Sequence, residues 1–343
     1  MSQSAPVTVV DAASIRAEIA ALLQASVDHD VDTLQRLIDS SSFPDCKAVD
    51  VQDPLLLENG AIWNQLDRNQ ETPGCIAFRL GLETLYQLMV DAGVRAEMLL
   101  NRLDDAGSAN ATATPPAGDA KLDPESAKYL SSTLSVGGDK ILDAELNGVM
   151  MAWESEIMKQ SAEALLASPG RRILNIGFGM GIIDSHIQSH ENRPAEHHII
   201  EAHPDVLKSI EANGWLSKPG VTVHTGRWQE VLPTLLEDGI TFDAVYYDTF
   251  AESYADFKDF FAEHLLGLLE ADGVWSFFNG MGADRQITYD VYQKVVEIDL
   301  FEAGFEVEWI GIDLPDLSNH WNGVKRKYWD VERYRLPVCK FVT

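Results

Sequence analysis

From Arg172 to Phe341 the sequence alternates short apolar runs with longer helical stretches, and this alternation constrains the fold more than any other feature. The apolar runs are Arg172–Ile176, His197–Glu201, Val221–His224, Phe242–Tyr247, Gly273–Phe278 and Val307–Ile312. Helical patterns lie between them, near 181–190, 204–212, 229–237, 254–269 and 287–303. Strands and helices at this spacing build βαβ units around a largely parallel sheet with helices on both faces. Val331–Phe341 supplies a seventh strand. The expected fold class is therefore α/β, a Rossmann-like, doubly wound sheet of seven strands.

The segment 104–125 (DDAGSANATATPPAGDAKLDPE) has no aromatic residue and one large aliphatic. Such a stretch buries too little apolar area to offset its ordering entropy, so it reads as a linker. It separates an N-terminal region, 1–103, from a C-terminal domain, 126–343. The N-terminal region repeats itself: Leu55–Ala61 is followed by Leu88–Val94 at a period of 33 residues. This is the ankyrin period. Between the copies, Thr72-Pro73-Gly74-Cys75-Ile76-Ala77 and then Gly81 resemble an ankyrin helix–turn–helix, with Gly74 and Cys75 departing from the pattern. Thr72-Pro73 is expected to start a helix and Gly81 to turn the chain. Gly60 and Gly93 are expected to end helices in a left-handed conformation. A looser helix pair is expected near 13–25 and 30–39. The region reads as a protein-docking surface or as a stabilising cap.

Charge narrows the partners. The chain carries 26 Lys+Arg against 54 Asp+Glu, a formal charge of −28. Such a surface repels phosphate backbones and anionic membranes and favours cationic partners. Direct nucleic-acid or membrane binding is not expected, and a monomer is. Cys46, Cys75 and Cys339 are odd in number and lack metal-ligand spacing, which suggests reduced thiols and no metal. No basic, apolar leader and no apolar run near the ~20 residues of a membrane span is seen. A cytoplasmic or nuclear location is expected.

Ile173–Ile176 runs into Gly177-Phe178-Gly179-Met180-Gly181 and then a helix. Glycines let the backbone turn sharply and approach a ligand. Nicotinamide, flavin and S-adenosylmethionine enzymes all use such a turn. The next strand ends in Glu201-Ala202-His203, where a carboxylate about 20 residues past the turn suits ribose hydroxyls. Phe178 and Met180 argue against a phosphate cradle, and Asp184 competes for the positive end of the following helix. These features favour S-adenosylmethionine. Trp228, after Gly226-Arg227, either lies over adenine or packs in the core. Asp248, at the carboxyl end of the fourth strand, sits where ligands bind in such sheets. In Met150-Met151-Ala152-Trp153-Glu154-Ser155-Glu156-Ile157-Met158, helical spacing puts Met150, Met151, Glu154 and Met158 on one face. Alone, the run reads better as an ordinary amphipathic helix with solvated glutamates.

The runs VMMAWESEIM, LNIGFGMG, IIEAHP, GRWQEVLPTL, FDAVYYDTF and FEAGF together resemble guanidinoacetate methyltransferase, and more closely the fungal-type protein arginine N5-methyltransferases. The resemblance covers 128–343, and 55–103 more loosely. It implies a class I methyltransferase domain behind an ankyrin-like helical region, and S-adenosylmethionine as methyl donor. It implies that Glu154 and Asp248 hold the guanidino group, with Asp248 touching both ligands. Met150, Met158, Gly177, Phe178, Gly179, Met180, Gly181, Ile182, Glu201, Ala202, His203, Arg227 and Trp228 match cofactor contacts, and Tyr129 a lid residue. Asn175 departs from the acidic residue that many methyltransferases place before the turn. The acceptor implied is an arginine of a basic protein, a ribosomal protein among the candidates. A small-molecule guanidine methyltransferase, a spermidine-synthase-like enzyme and a catalytically dead ankyrin-type interaction protein are the alternatives.

Overall fold

The computed structural model describes residues 62–109 and 124–342, and for 104–109 the backbone alone. Leu55–Ala61, the expected helices near 13–25 and 30–39, and Gly60 lie outside the described residues. The chain divides into two compact units: 1–100 with 285–292, and 101–284 with 293–343.

In the first unit, α1 (Pro73–Arg79) starts as expected. The Thr72 side chain accepts from Cys75 N–H and Pro73 occupies the first turn, where its missing N–H costs nothing. Gly81, at φ +66°, turns the chain into α2 (Glu83–Ala109). Gly93 corrects an expectation: it ends no helix but lies inside α2. A Cβ there would stand 2.6 Å from Val291 Cγ2 and 3.1 Å from the Trp63 ring, so glycine serves close packing. α2 also continues into the segment read as linker, while 110–123 lie outside the described residues.

The second unit opens with α3 (Pro124–Ser131) and a three-stranded antiparallel ribbon, β1 (Ser135–Val136), β2 (Lys140–Leu142) and β3 (Gly148–Met151). A 3-10 turn, Ala152–Glu154, leads to α4 (Ser155–Leu165). Then come β4 (Arg172–Ile176), α5 (Ile182–Ser189), β5 (Glu196–Glu201), α6 (Pro204–Ala212), β6 (Val221–Thr225), α7 (Trp228–Glu237) and β7 (Phe242–Tyr247). α8 (Tyr254–Asp259) passes through a π turn at Phe260–His264 into α9 (Leu265–Leu268) and β8 (Leu269–Phe277). α10 (Gln286–Glu302), β9 (Phe305–Asp313) and β10 (Arg333–Phe341) follow.

The sheet order is β6-β5-β4-β7-β8-β10-β9, parallel except for β10, which runs antiparallel to β8 and β9. This is the seven-stranded class I methyltransferase fold. Side chains alternate along each strand, and both faces of the central strands are buried. Leu174, Val245 and Trp275 enter one core; Ile173, Ala244 and Val274 enter the other. Strand order reverses beside β4, between β5 and β7, so their carboxyl ends diverge into a crevice there.

Candidate active site

The crevice is a cavity of about 290 Å³. Its floor is Ile176 and Gly177 where β4 ends, Ile200 and Glu201 where β5 ends, and Tyr247 and Asp248 where β7 ends. Tyr129 of α3, Val149 and Met150 of β3, Glu154, Trp228 and Tyr328 complete its walls.

The Gly turn fits tightly against its surroundings. Gly177 has φ +91°, and a Cβ there would lie 1.8 Å from the Asp248 carbonyl oxygen. At Gly179 a Cβ would meet Met150 Sδ at 2.6 Å. Only glycine lets the turn lie this close to both walls. Asn175 earns its place by donating to Gly177 O and to Asp184 Oδ1 from a fully buried position. Glu201 braces the turn as well: Oε2 accepts from Phe178 N–H, and Oε1 from Ala202 and His203 N–H. Burial raises its pKa and these backbone bonds oppose the rise.

Two more acids meet the cavity. Glu154 is 2% exposed, and its Oε1 accepts from Met151 N–H at 2.8 Å and from the Tyr328 hydroxyl. Burial, then the neighbouring Asp248 carboxylate, push its pKa up to about 8. Asp248 is half-buried, and its buried Oδ2 has no hydrogen-bond partner among the described residues. Burial, then Asp184, push its pKa up to about 7. Carboxyls so displaced are poised to hold cationic ligands or to accept a proton near neutral pH. An unpartnered carboxylate oxygen, a braced Glu201 and an indole wall fit a donor that carries a sulfonium, ribose hydroxyls and a purine.

The sequence profile of the family described as guanidinoacetate N-methyltransferase matches residues 135–339. The protein arginine N-methyltransferase 2 of Emericella nidulans is 54% identical over 329 residues, covering 84% of this chain and 77% of that one. That of Aspergillus fumigatus is 55% identical over 325 residues, covering 84% and 76%. The chain belongs to the protein arginine N-methyltransferase 2 family. The family member of Neurospora crassa, 40% identical, extends the match to 95% of this chain and 96% of its own.

Within this family member, Tyr129, Met150, Glu154, Gly177, Gly179, Glu201, Ala202, Arg227, Trp228 and Asp248 line one cavity. Phe178 and Met158 are core side chains behind it. Met180 N–H donates to Met150 Sδ, and Gly181 caps α5, which Ile182 begins. The fully buried His203 ring caps α6, contacting Asp205 N–H and Tyr129 O. The single helical face expected for Met150 to Met158 is corrected. Met150 and Met151 belong to β3, paired with Ile141 and Lys140; Glu154 ends the 3-10 turn, and only Met158 is α-helical. Strand pairing with β2 overrides the helical pattern. Sequence reasoning missed Tyr328, 174 residues from the Glu154 it touches. It also missed Glu252, whose only sequence signal is an acid four residues beyond Asp248.

Proposed function

We propose that this chain transfers a methyl group from S-adenosylmethionine to the internal delta nitrogen of an arginine in a protein substrate. The observation that carries this reading is the convergence of Glu154 and Asp248, both displaced upward in pKa, on one cavity with the Gly turn and Glu201. The relatives' name supports arginine and protein; the choice of the delta nitrogen rests on the resemblance of the motifs.

Glu201 would hold the donor's ribose hydroxyls, Trp228 its adenine, and Met150 with the Gly turn its sulfonium end. When bound, S-adenosylmethionine supplies an electrophilic methyl group. A guanidinium is planar and presents its N–H donors as a fork that matches carboxylates. The bonds to Glu154 fall on Oε1, which leaves Oε2 to take one arm of that fork. Asp248 Oδ2 accepts the proton that the attacking nitrogen must lose, as a group near pH 7 does efficiently. Two cations meet here, and these two carboxylates supply the compensating charge.

Asp248→Asn is expected to abolish turnover. Glu154→Gln is expected to weaken acceptor binding and leave donor affinity within several-fold. Fragmentation mass spectrometry of a methylated protein locates the methyl group: label on a terminal nitrogen rejects the delta assignment, and a fully active Glu154→Gln rejects the clamp. The matched profile favours one second reading, transfer to a small guanidine. Methylation of free guanidinoacetate with none of protein would establish that instead. The helical region before 104 serves in this reading as an ankyrin-like docking surface for a basic substrate. A cytoplasmic or nuclear setting suits the free Cys75 and Cys339.

A further inference from the structure

Glu252 lies in the loop between β7 and α8, four residues beyond Asp248, and faces the same cavity. Its carboxylate collects donors from two separate elements. Trp228 Nε1 reaches Oε1 at 2.9 Å and Oε2 at 3.0 Å, and Gln229 Nε2 reaches Oε1 at 3.1 Å. Tyr247 OH donates to Oε2 at 2.5 Å and Thr249 Oγ1 at 2.6 Å. A carboxylate offers about four acceptor sites, so these contacts saturate it. Both Glu252 oxygens are thus committed to protein donors, unlike Asp248 Oδ2, which is unpartnered among the described residues.

What the donors share is their position. Trp228 and Gln229 open α7; Tyr247 and Thr249 are the chain neighbours of Asp248 on either side. The loop that brings Glu252 here passes through Ala251 at φ +60°, a region that residues with a Cβ seldom occupy. Such a conformation persists where surrounding bonds over-determine it. Here they are the four donors on Glu252 and the Ser126 hydroxyl, which donates to Ala251 O at 2.6 Å.

We infer that Glu252 is a positioning residue: one carboxylate that ties the start of α7 to both neighbours of Asp248, and so sets the donor wall and the reacting carboxylate in register. The inference rests on the proposed role of Asp248.

Glu252→Gln keeps the shape but turns an amide N–H2 toward a set of donors. Titration calorimetry with S-adenosylmethionine should show about tenfold weaker binding, and kcat/KM for a guanidino acceptor should fall at least about tenfold, since a bond to a charged group is lost. Thr249→Val removes one donor and should lower kcat/KM several-fold. The double variant should lose no more than Glu252→Gln alone, because both cut the same link. Unchanged donor affinity and kcat/KM in Glu252→Gln, or losses that multiply in the double variant, overturn the inference. Circular dichroism reports folding. If Glu252→Gln does not fold, Thr249→Val and Tyr247→Phe decide, and wild-type turnover per folded molecule in both overturns the inference. An active Asp248→Asn beside an impaired Glu252→Gln would reject the base assignment and leave the positioning role standing.

Discussion

A carboxyl at about 8 for Glu154 and about 7 for Asp248 in the fold, against about 4 in an open chain, costs stability once the pH exceeds the lower value. The cost grows until the pH passes the folded value. The ligand-free protein should therefore melt at falling temperature as pH rises from 5 to 8.5. A cation bound at the cavity favours the ionised forms, so the sign for binding is opposite: donor affinity should rise over the same interval and binding should release protons. Calorimetry in buffers of different ionisation enthalpy measures both. Affinity that stays level between pH 6 and 9 would remove these carboxyls from the binding of cations. Burial raises Glu201 too, and its backbone bonds oppose that rise, as the Tyr328 and Met151 bonds do at Glu154.

Among the elements, Gly93 offers the sharpest test. Glycine inside a helix ordinarily weakens it, so alanine would be expected to help. Here the added methyl would press on Val291 and Trp63. Gly93→Ala should instead lower stability by about 1–3 kcal/mol, read from denaturant midpoints; a gain would mean that the packing yields. The same position shows where sequence reading stops. The central strands of the sheet were legible because both of their faces are buried, so a run such as Ile173–Ile176 is apolar except for Asn175. The Gly turn and Glu201 were legible because both lie next to those strands in the chain. Gly93 was misread because its reason is a valine nearly two hundred residues away. Met150 and Met151 were misread because a hairpin partner, β2, outweighs local periodicity. Glu252 and Tyr328 left almost no signal, since their meaning lies in the donors and acceptors that the fold brings to them.

For the whole molecule, a formal charge of −28 sets how it meets partners. Attraction to a basic protein acts over the screening length, about 8 Å at 0.15 M salt and shorter in stronger salt. Raising salt from 50 to 500 mM should cut kcat/KM for a Lys/Arg-rich substrate about tenfold while barely moving that for free guanidinoacetate. Equal salt response would show that surface charge does not recruit the substrate. The two compact units are interleaved along the chain, since the first takes in 285–292 as well as the N-terminal residues. There Ile287 would lie 2.6 Å from a Cβ at Gly74, Val291 packs at Gly93, and both are fully buried. Anyone wishing to transplant the sheet as a minimal enzyme must therefore redesign Ile287 and Val291 as polar residues, or carry the helices around Gly74 and Gly93 into the graft.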